Sequence, residues 1–255
     1  MVHEGKGFFC IVDGLDGIGK GVIIQSLKET LAEKNKKVLD LEDYWNEKHL
    51  MPQFFLKKNQ RKELQLDFLD LNEFDALISH EPTRIGIGYI IRKEFVARSN
   101  RSYGVETIAQ AYALDRLALY KRVLLPCLNA GKTIIQSRGL ASSLTYQQLM
   151  GLSKERLLEL EGNKFTLSQA PDLLIIPTIK DPAELIKRLK ERKKFDNAIF
   201  EDLEFQAKLK PLYESDWLKK LFEEQGTVVE YLDAGISIEK TKKQAREILL
   251  KHLPE

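Results

Sequence analysis

Residues 14–20 read Gly14-Leu15-Asp16-Gly17-Ile18-Gly19-Lys20, the spacing G-x-x-x-x-G-K. The chemistry served by that spacing is phosphate binding. A phosphate chain needs several backbone N–H groups turned toward it, so the backbone must approach closely and take conformations that side chains obstruct. Glycine permits both. A helix opening at the lysine adds its free N–H groups and the positive end of its dipole. Lys20 adds a mobile charge for β- and γ-phosphates. Gly14, Gly17, Gly19, Lys20 and Gly21 are therefore the candidate cradle of a nucleoside triphosphate. The plain alternative is a glycine-rich turn with a chance lysine. A strand before the loop and a helix after it favour the cradle.

The metal side of this loop departs from the usual pattern. The Ser or Thr that follows the lysine and ligates Mg²⁺ is here Gly21, and Val22 comes next, so neither position offers a hydroxyl. Mg²⁺ keeps several waters readily and could be held by water and phosphate oxygens. The other outcome is weakened metal binding.

Two further sets of residues carry chemistry. Tyr112 and Arg116 are four positions apart and share one face of a helix. An aromatic ring there can stack on a pyrimidine while a guanidinium reads its carbonyl edge. Tyr112 alone would read as a core aromatic, but Arg116 in a largely apolar stretch is harder to explain as packing. Between Arg188 and Lys194 stand five basic residues (in RLKERKK). They form either a solvated helix end or a lid whose cations stabilise charge on a transferring phosphoryl group.

These residues need elements to position them. Short runs at 7–13, 37–41, 76–80, 132–136, 172–177 and 226–232 predict strands, the nearly all-apolar first one buried on both faces. Helical spacing predicts helices at 23–34, 105–128, 182–191 and 237–252. Asn129–Gly131 is a C-cap signal for the second and Pro182 suits the first turn of the third. Strands alternating with helices imply parallel βαβ units and a layered α/β fold. The segment 43–75, polar with aromatics and Leu pairs, predicts a helix and a loop and is longer than its connection requires. No repeat or linker divides the chain, which reads as a single domain over 1–255.

Composition bounds the rest. The chain has 255 residues, 43% hydrophobic and 31% charged, with net charge +2. That balance suits a soluble globular protein and gives no broad basic field for nucleic acid. Cys10 and Cys127 lie in apolar runs, as buried thiols in a reducing compartment would. The N-terminal residues lack the apolar stretch of a signal peptide and no run is long enough for a membrane span. A cytoplasmic protein without membrane or nucleic-acid partners is the expectation.

Past the phosphate loop the chain resembles the thymidylate kinases. His80-Glu81-Pro82-Thr83, with Ile85-Gly86 or Ile87-Gly88 and then Ile90-Ile91-Arg92, is similar to that family's E-P-[TG]…IG…IR segment. Tyr112-Ala113-Leu114-Asp115-Arg116 resembles its aromatic-x-x-D-R helix motif, and Ser137-Arg138 with Ala141 to Gln147 resembles its D-R-Y-x-x-S-x-x-A-Y-Q segment. Residues 188–197 resemble its basic lid. The pieces stand in family order and span about 7–235. The resemblance implies a P-loop kinase fold, a parallel sheet of about five strands flanked by helices, with a lid at about 188–200. It implies ATP and Mg²⁺ as donor and cofactor, dTMP as acceptor, and a homodimer formed through helices beside the acceptor site. It assigns ATP to Gly14, Gly17, Gly19, Lys20 and Gly21. Arg92 and Arg138 fall at the acceptor phosphate, where a planar fork suits bidentate contacts. For Arg92 a solvated face, beside Lys93 and Glu94, competes evenly. Ser143, Tyr146 and Gln147 complete the base and sugar pocket. Asp16 faces the acceptor sugar with Glu81 near it, although a strand-end cap would also explain Glu81. Members of the family carry a catalytic arginine either in the phosphate loop, where this chain has Gly17, or on the lid, where it has Arg192 or Arg188. Lys20, Asp16, Arg138 and Arg192 are the catalytic candidates.

One more departure concerns the D-R pair, which is here Ser137-Arg138. The missing carboxylate helps organise Mg²⁺ and the reacting phosphates. With Gly21 it makes two changes on the metal side, against a nearly complete acceptor side. Slower turnover, altered metal handling, a degenerate homologue or an engineered residue would each explain them. Another nucleoside monophosphate or deoxynucleoside kinase, or a catalytically weak nucleotide-binding homologue, remains the alternative function.

Overall fold

The computed structural model describes residues 7–54, 68–97, 99–181, 184–185 and 203–254. The basic segment around 188–200, with Arg188 and Arg192, lies outside the described residues, as do most of the helix predicted at 182–191 and the middle of 43–75.

All six apolar runs form strands of one parallel sheet, ordered β2-β5-β6-β1-β7-β8. The strands are β1 (Phe8–Val12), β2 (Val38–Asp40), β5 (Ala76–His80), β6 (Thr133–Ser137), β7 (Leu173–Thr178) and β8 (Val228–Asp233). The sheet thus has six strands instead of about five. The central strand β1 is buried at every position, as its unbroken apolar run requires of a parallel strand covered on both faces. The edge strand β2 is only half-buried. A separate parallel pair joins β3 (Gln53–Phe54) to β4 (Phe68–Leu69).

Helices flank the sheet. α1 (Lys20–Glu33) buries Ile23, Leu27 and Leu31, which share one face at helical spacing, and packs on the C-terminal helix. α2 (Leu41–Lys48) begins directly from β2, capped by the Asp40 carboxylate, which accepts from Glu42 N at 3.0 Å. α3 (Gly86–Ile90) runs into a wide turn over Ile91–Phe95. The predicted helix at 105–128 is α4 (Val105–Leu119), continued by a wide turn at Tyr120–Leu124 into α5 (Leu125–Asn129). Gly131 then takes a φ of 76°, ending the helix as its sequence signal indicated.

Six described helices went unpredicted: α3, α6 (Leu140–Leu149), α7 (Lys154–Glu159), α8 (Glu161–Ser168), α9 (Leu203–Tyr213) and α10 (Asp216–Glu223). α6 buries Leu140, Ala141, Ser143, Leu144, Thr145, Tyr146 and Gln147, so its buried surface runs nearly all round and includes polar residues. No apolar stripe marks such a helix. α10 did carry a signal, the Ser215 cap followed by Leu218 and Phe222 four apart. α11 (Ile238–His252) closes the chain as expected.

Candidate active site

The phosphate loop joins β1 to α1 at the carboxyl edge of the sheet. Gly17 and Gly19 take φ of 77° and 101°, the left-handed region that a side chain penalises. A Cβ at Gly14 would lie 3.3 Å from Pro177 on β7, a tight contact that a glycine avoids. Lys20 bends back over the loop and donates to the carbonyls of Gly14 at 2.8 Å and Leu15 at 2.6 Å. Gly21, by contrast, takes an ordinary helical conformation, and a Cβ there would meet no heavy atom of the described residues within 4 Å.

Below the loop sits Asp13, fully buried at the end of β1. Its carboxylate accepts from Gly14 N, Gly139 N, Ser142 N and Oγ, and Tyr213 Oη, at 2.6–3.0 Å. It ties the loop to the start of α6 and to α9. Asp16 lies inside the loop and is held from three sides. Arg138 Nη2 forms an ion pair with it, Tyr146 donates to it at 2.8 Å, and Gln206 on α9 receives its backbone N–H at 2.9 Å. Burial opposes ionisation of Asp16, but the charges of Arg138 and Lys20 outweigh it and hold the carboxyl below its ordinary range.

Arg138 follows β6 with a φ of 64°, a left-handed conformation that costs a non-glycine residue of order 1 kcal/mol. Its backbone N–H bonds to Val12 O, and its guanidinium meets Asp16, Ser142 Oγ at 3.1 Å and the face of Tyr146 at 5.5 Å. The surroundings enforce this conformation and aim a planar cation across the loop.

Two cavities open here. The first, of about 400 Å³, is lined by Tyr112, Arg116, Ser143, Tyr146 and Gln147, with Trp45, Asn46 and His49 of α2 and its end as a further wall. The second, of about 380 Å³, lies along Gly17, Gly19, Lys20 and Gly21 to Ser137. Asp16, Glu81, Arg84, Arg92 and Arg138 line both. Every candidate within the described residues except Gly14 thus lines one of two joined cavities, and Gly14 underlies them through its carbonyl contact with Lys20.

The first cavity rests on a buried polar scaffold. Arg116, 1% exposed, donates to Glu81 Oε2 at 2.6 Å, Asn163 Oδ1 at 2.5 Å, Gly139 O at 3.2 Å and Ser143 Oγ at 2.8 Å. A guanidinium has five N–H groups, so these bonds leave one at Nη1 for a ligand. Arg116 is first a brace for the Glu81 loop and only then a possible reader of a base edge. Glu81 also receives Gln136 Nε2 at 3.0 Å. Burial pushes its carboxyl up, to about 7, against the pull of Arg116. The neighbouring Asp115 accepts from Thr83 N and Oγ1, both at 2.7 Å, and so fixes the same loop. Arg92 is anchored on the Pro82 and Thr83 carbonyls, with Nε at 3.2 Å from each. Gln147 Oε1 is buried and has no hydrogen-bond partner among the described residues, the position of an acceptor awaiting a donor. Burial takes the Tyr112 hydroxyl up to about 12, so it stays protonated beside Arg138 and Arg92.

The second cavity is poor in metal ligands. Ser137 ends β6 between its register partners Val12 and His80. Among the described residues no group of three His, Cys, Asp or Glu side chains stands ready to hold an ion. The nearby carboxylates are engaged by cations: Asp16 by Arg138, Asp40 by Lys28 at 2.7 Å, and Glu42 by Arg84.

Sequence reasoning missed Asp13, Arg84, Asn163, Gln206 and Tyr213. Asp13 had a signal, an acid closing an apolar strand. Gln206 and Tyr213 lie seven apart on one helix face, but nothing local shows that this face folds over a loop 190 positions away.

The thymidylate kinase family model matches residues 57–245. A probable thymidylate kinase of Pyrococcus abyssi is 29% identical over 216 residues, covering 82% of each chain. One from Staphylothermus marinus is 28% identical over 253 residues and covers 99% of each. In three dimensions a thymidylate kinase structure from Candida albicans superposes with a TM-score of 0.63, at 19% identity and over 96% of this chain and 92% of that one.

Proposed function

The chain belongs to the thymidylate kinase family of ATP-dependent nucleoside monophosphate kinases, and from that premise we propose that it transfers the γ-phosphoryl group of ATP to dTMP, giving ADP and dTDP. The observation that carries this reading is the junction of the two cavities. Donor and acceptor must meet in line, and Asp16, Arg84, Arg92 and Arg138 belong to both walls. In phosphoryl transfer the protein chiefly positions the reactants and stabilises charge. Gly14 to Gly21 cradle the ATP phosphates, with Lys20 leaving its carbonyl contacts for the β- and γ-oxygens. Arg92 and Arg138 hold the acceptor phosphate. Tyr112 stacks on the base, and Ser143, Tyr146 and Gln147 with the free Nη1 hydrogen of Arg116 line its polar edge. Asp16 faces the sugar.

Mg²⁺ bound to ATP would neutralise phosphate charge. The donor set here fits an ion carried by phosphates and water, with Ser137 the hydroxyl available at the strand edge. Arg192 or Arg188 on a lid at about 188–200 would supply the further cation at the moment of transfer.

The whole chain reads as one domain over 1–255, since the first and last strands, β1 and β8, share one sheet through β7. A homodimer through α3 and α4 is favoured by Tyr89, Ile90 and Leu114, which are 54%, 48% and 53% exposed on adjacent helices beside the acceptor cavity. Sedimentation of wild type and Leu114→Glu tests it, and a wild-type monomer would remove it. No described helix is long and apolar enough to cross a membrane. The buried free thiols Cys10 and Cys127 favour a cytoplasmic setting.

ADP release measured over a panel of monophosphates tests the reaction itself. dTMP should be preferred over dCMP and AMP. Lys20→Ala should lose most ATP-induced thermal stabilisation, because a charge-assisted phosphate contact disappears. Equal turnover of dTMP and AMP would remove the acceptor assignment.

A further inference from the structure

The edge strand β2 and the helix α2 that follows it bring a carboxylate to the cavity junction. The Asp40 side chain caps α2 and is itself paired with Lys28 of α1, so the first turn of α2 is fixed to the sheet. Glu42 stands in that turn. One carboxylate oxygen is ion-paired with Arg84 Nη2, and the other lies 3.1 Å from His80 Nε2. The His80 ring stacks on the buried Trp45, with centroids 5.7 Å apart and planes at 29°. Glu42 therefore has a rigid base and a defined direction. Contact with His80, then the charges of Arg84 and Arg92, take its carboxyl down to about 2 against the cost of partial burial, so it is ionised at neutral pH.

Arg84 is the opposite kind of residue. Its backbone is fixed beside the fully buried Thr83, which Asp115 holds. Its side chain is 40% exposed, yet it lines both cavities. A long arginine at such a place samples many rotamers unless something holds it, and binding is weakened by whatever order must then be imposed.

We propose that Glu42 is a positioning residue that holds the Arg84 guanidinium at the junction of the two cavities, ready to bind the phosphate of the acceptor nucleotide. The edge strand β2 thus completes the acceptor end of the site through the helix that follows it. This rests on the reading that the first cavity takes a nucleoside monophosphate.

A double-mutant cycle of Glu42→Ala and Arg84→Ala, read by dTMP turnover and by calorimetric dTMP binding, tests it. Each single variant should raise KM and Kd for dTMP by about ten-fold, the scale of one charged contact, with kcat changed by less than about three-fold. The double variant should lose no more than either single one, and Glu42→Asp should recover part of the loss. Unchanged KM and Kd in Glu42→Ala would overturn the proposal. So would the full Glu42→Ala effect appearing again in the Arg84→Ala background, because Glu42 would then act without Arg84. If Glu42→Ala folds poorly, Glu42→Gln runs the same cycle. Wild type that binds dTMP without phosphorylating it would remove the kinase reading and leave the binding arm of this cycle intact.

Discussion

The two cavities share a wall and are built on opposite terms. The acceptor cavity is braced from below by bonds among buried groups: Arg116 to Glu81, Asn163, Gly139 and Ser143, and Asp115 to Thr83. Few of its polar groups wait on a ligand. The donor cavity has its glycine geometry intact but lacks oxygen ligands at Gly21 and offers a hydroxyl, not a carboxylate, at Ser137. The difference separates two demands. An acceptor must be held in register and chosen among similar molecules, so it needs preorganised groups. A triphosphate already carries its charge and can carry its ion, so a cradle of backbone N–H groups and one lysine suffices to bind it. What a sparse metal side costs should appear in rate more than in binding.

Of the residues common to both cavities, Arg138 should matter most. Arg138→Gly removes the guanidinium while suiting the φ of 64° at that position. It should lower kcat/KM for dTMP by about 10²–10³-fold, the scale of one preorganised donor at a developing charge. A loss below about ten-fold in steady-state kinetics would mean that the two cavities do not meet where the reaction occurs.

The next effect separates brace from reader. Arg116→Ala leaves Glu81 buried without its cation, which typically costs about 3–5 kcal/mol of stability, measured by urea unfolding. Were Arg116 only a base reader, stability would stay near wild type and dTMP affinity alone would fall. The Glu81 pair also predicts a pH slope. Its folded carboxyl is raised from 4.5 to about 7. Between those values the folded state holds the proton that the unfolded state releases, so this group's contribution falls as pH rises from about 4.5 through 7. Glu81→Gln should remove that downward component from the stability profile. Asp16 and Glu42, both with lowered carboxyls, contribute the opposite slope at lower pH and remain in the variant.

A gain of function tests the donor side. Ser137→Asp places a carboxylate at the end of β6, in the cavity lined by Lys20, Arg84 and Arg138. It should raise kcat by about ten-fold, near 1.4 kcal/mol in the transition state, with KM for dTMP little changed and the rise steepest at limiting Mg²⁺. A flat kcat across a Mg²⁺ titration would show that the donor cavity is not short of a ligand at that position.

The legible parts of the molecule were those written in local pattern. The inner strands were visible because a parallel strand covered on both faces is an unbroken apolar run, as FFCIV at Phe8–Val12 shows, and the half-exposed edge strands β2 and β8 by their short β-branched and aromatic runs. The cradle was visible because glycine spacing encodes its backbone directly. α6 was not, because a helix buried nearly all round with Ser143, Thr145 and Gln147 inside has no stripe to detect. The closure of α9 on the loop was not, because the bonds from Tyr213 to Asp13 and from Asp16 to Gln206 join residues 200 and 190 positions apart. The role of Arg116 was half legible. Its burial could be inferred from apolar neighbours, but Glu81, Asn163 and Ser143 come from three other segments, and only their assembly shows how little of the guanidinium is left for a base.

The smallest effect expected is at Gly21, and it divides local stability from chemistry. A Cβ there meets no heavy atom of the described residues within 4 Å, and the residue sits in the first turn of α1. Replacing a helical glycine reduces the freedom of the unfolded chain, so Gly21→Ala should stabilise the fold by about 0.5–1 kcal/mol with no change in rate. Gly21→Thr brings a smaller stability gain, because its branched side chain suits a helix less well. It also adds a hydroxyl one position after Lys20. One neutral hydrogen bond is worth about 1 kcal/mol, so kcat should rise by about five-fold at limiting Mg²⁺. The contrast between the two variants is the measurement. A rise in Thr alone means the donor cavity lacked an oxygen. An equal rise in both means that helix order at the loop limited the rate. No rise in Thr, together with a rise in Ser137→Asp, places the shortage at β6 and leaves the α1 side of the cradle complete as it stands.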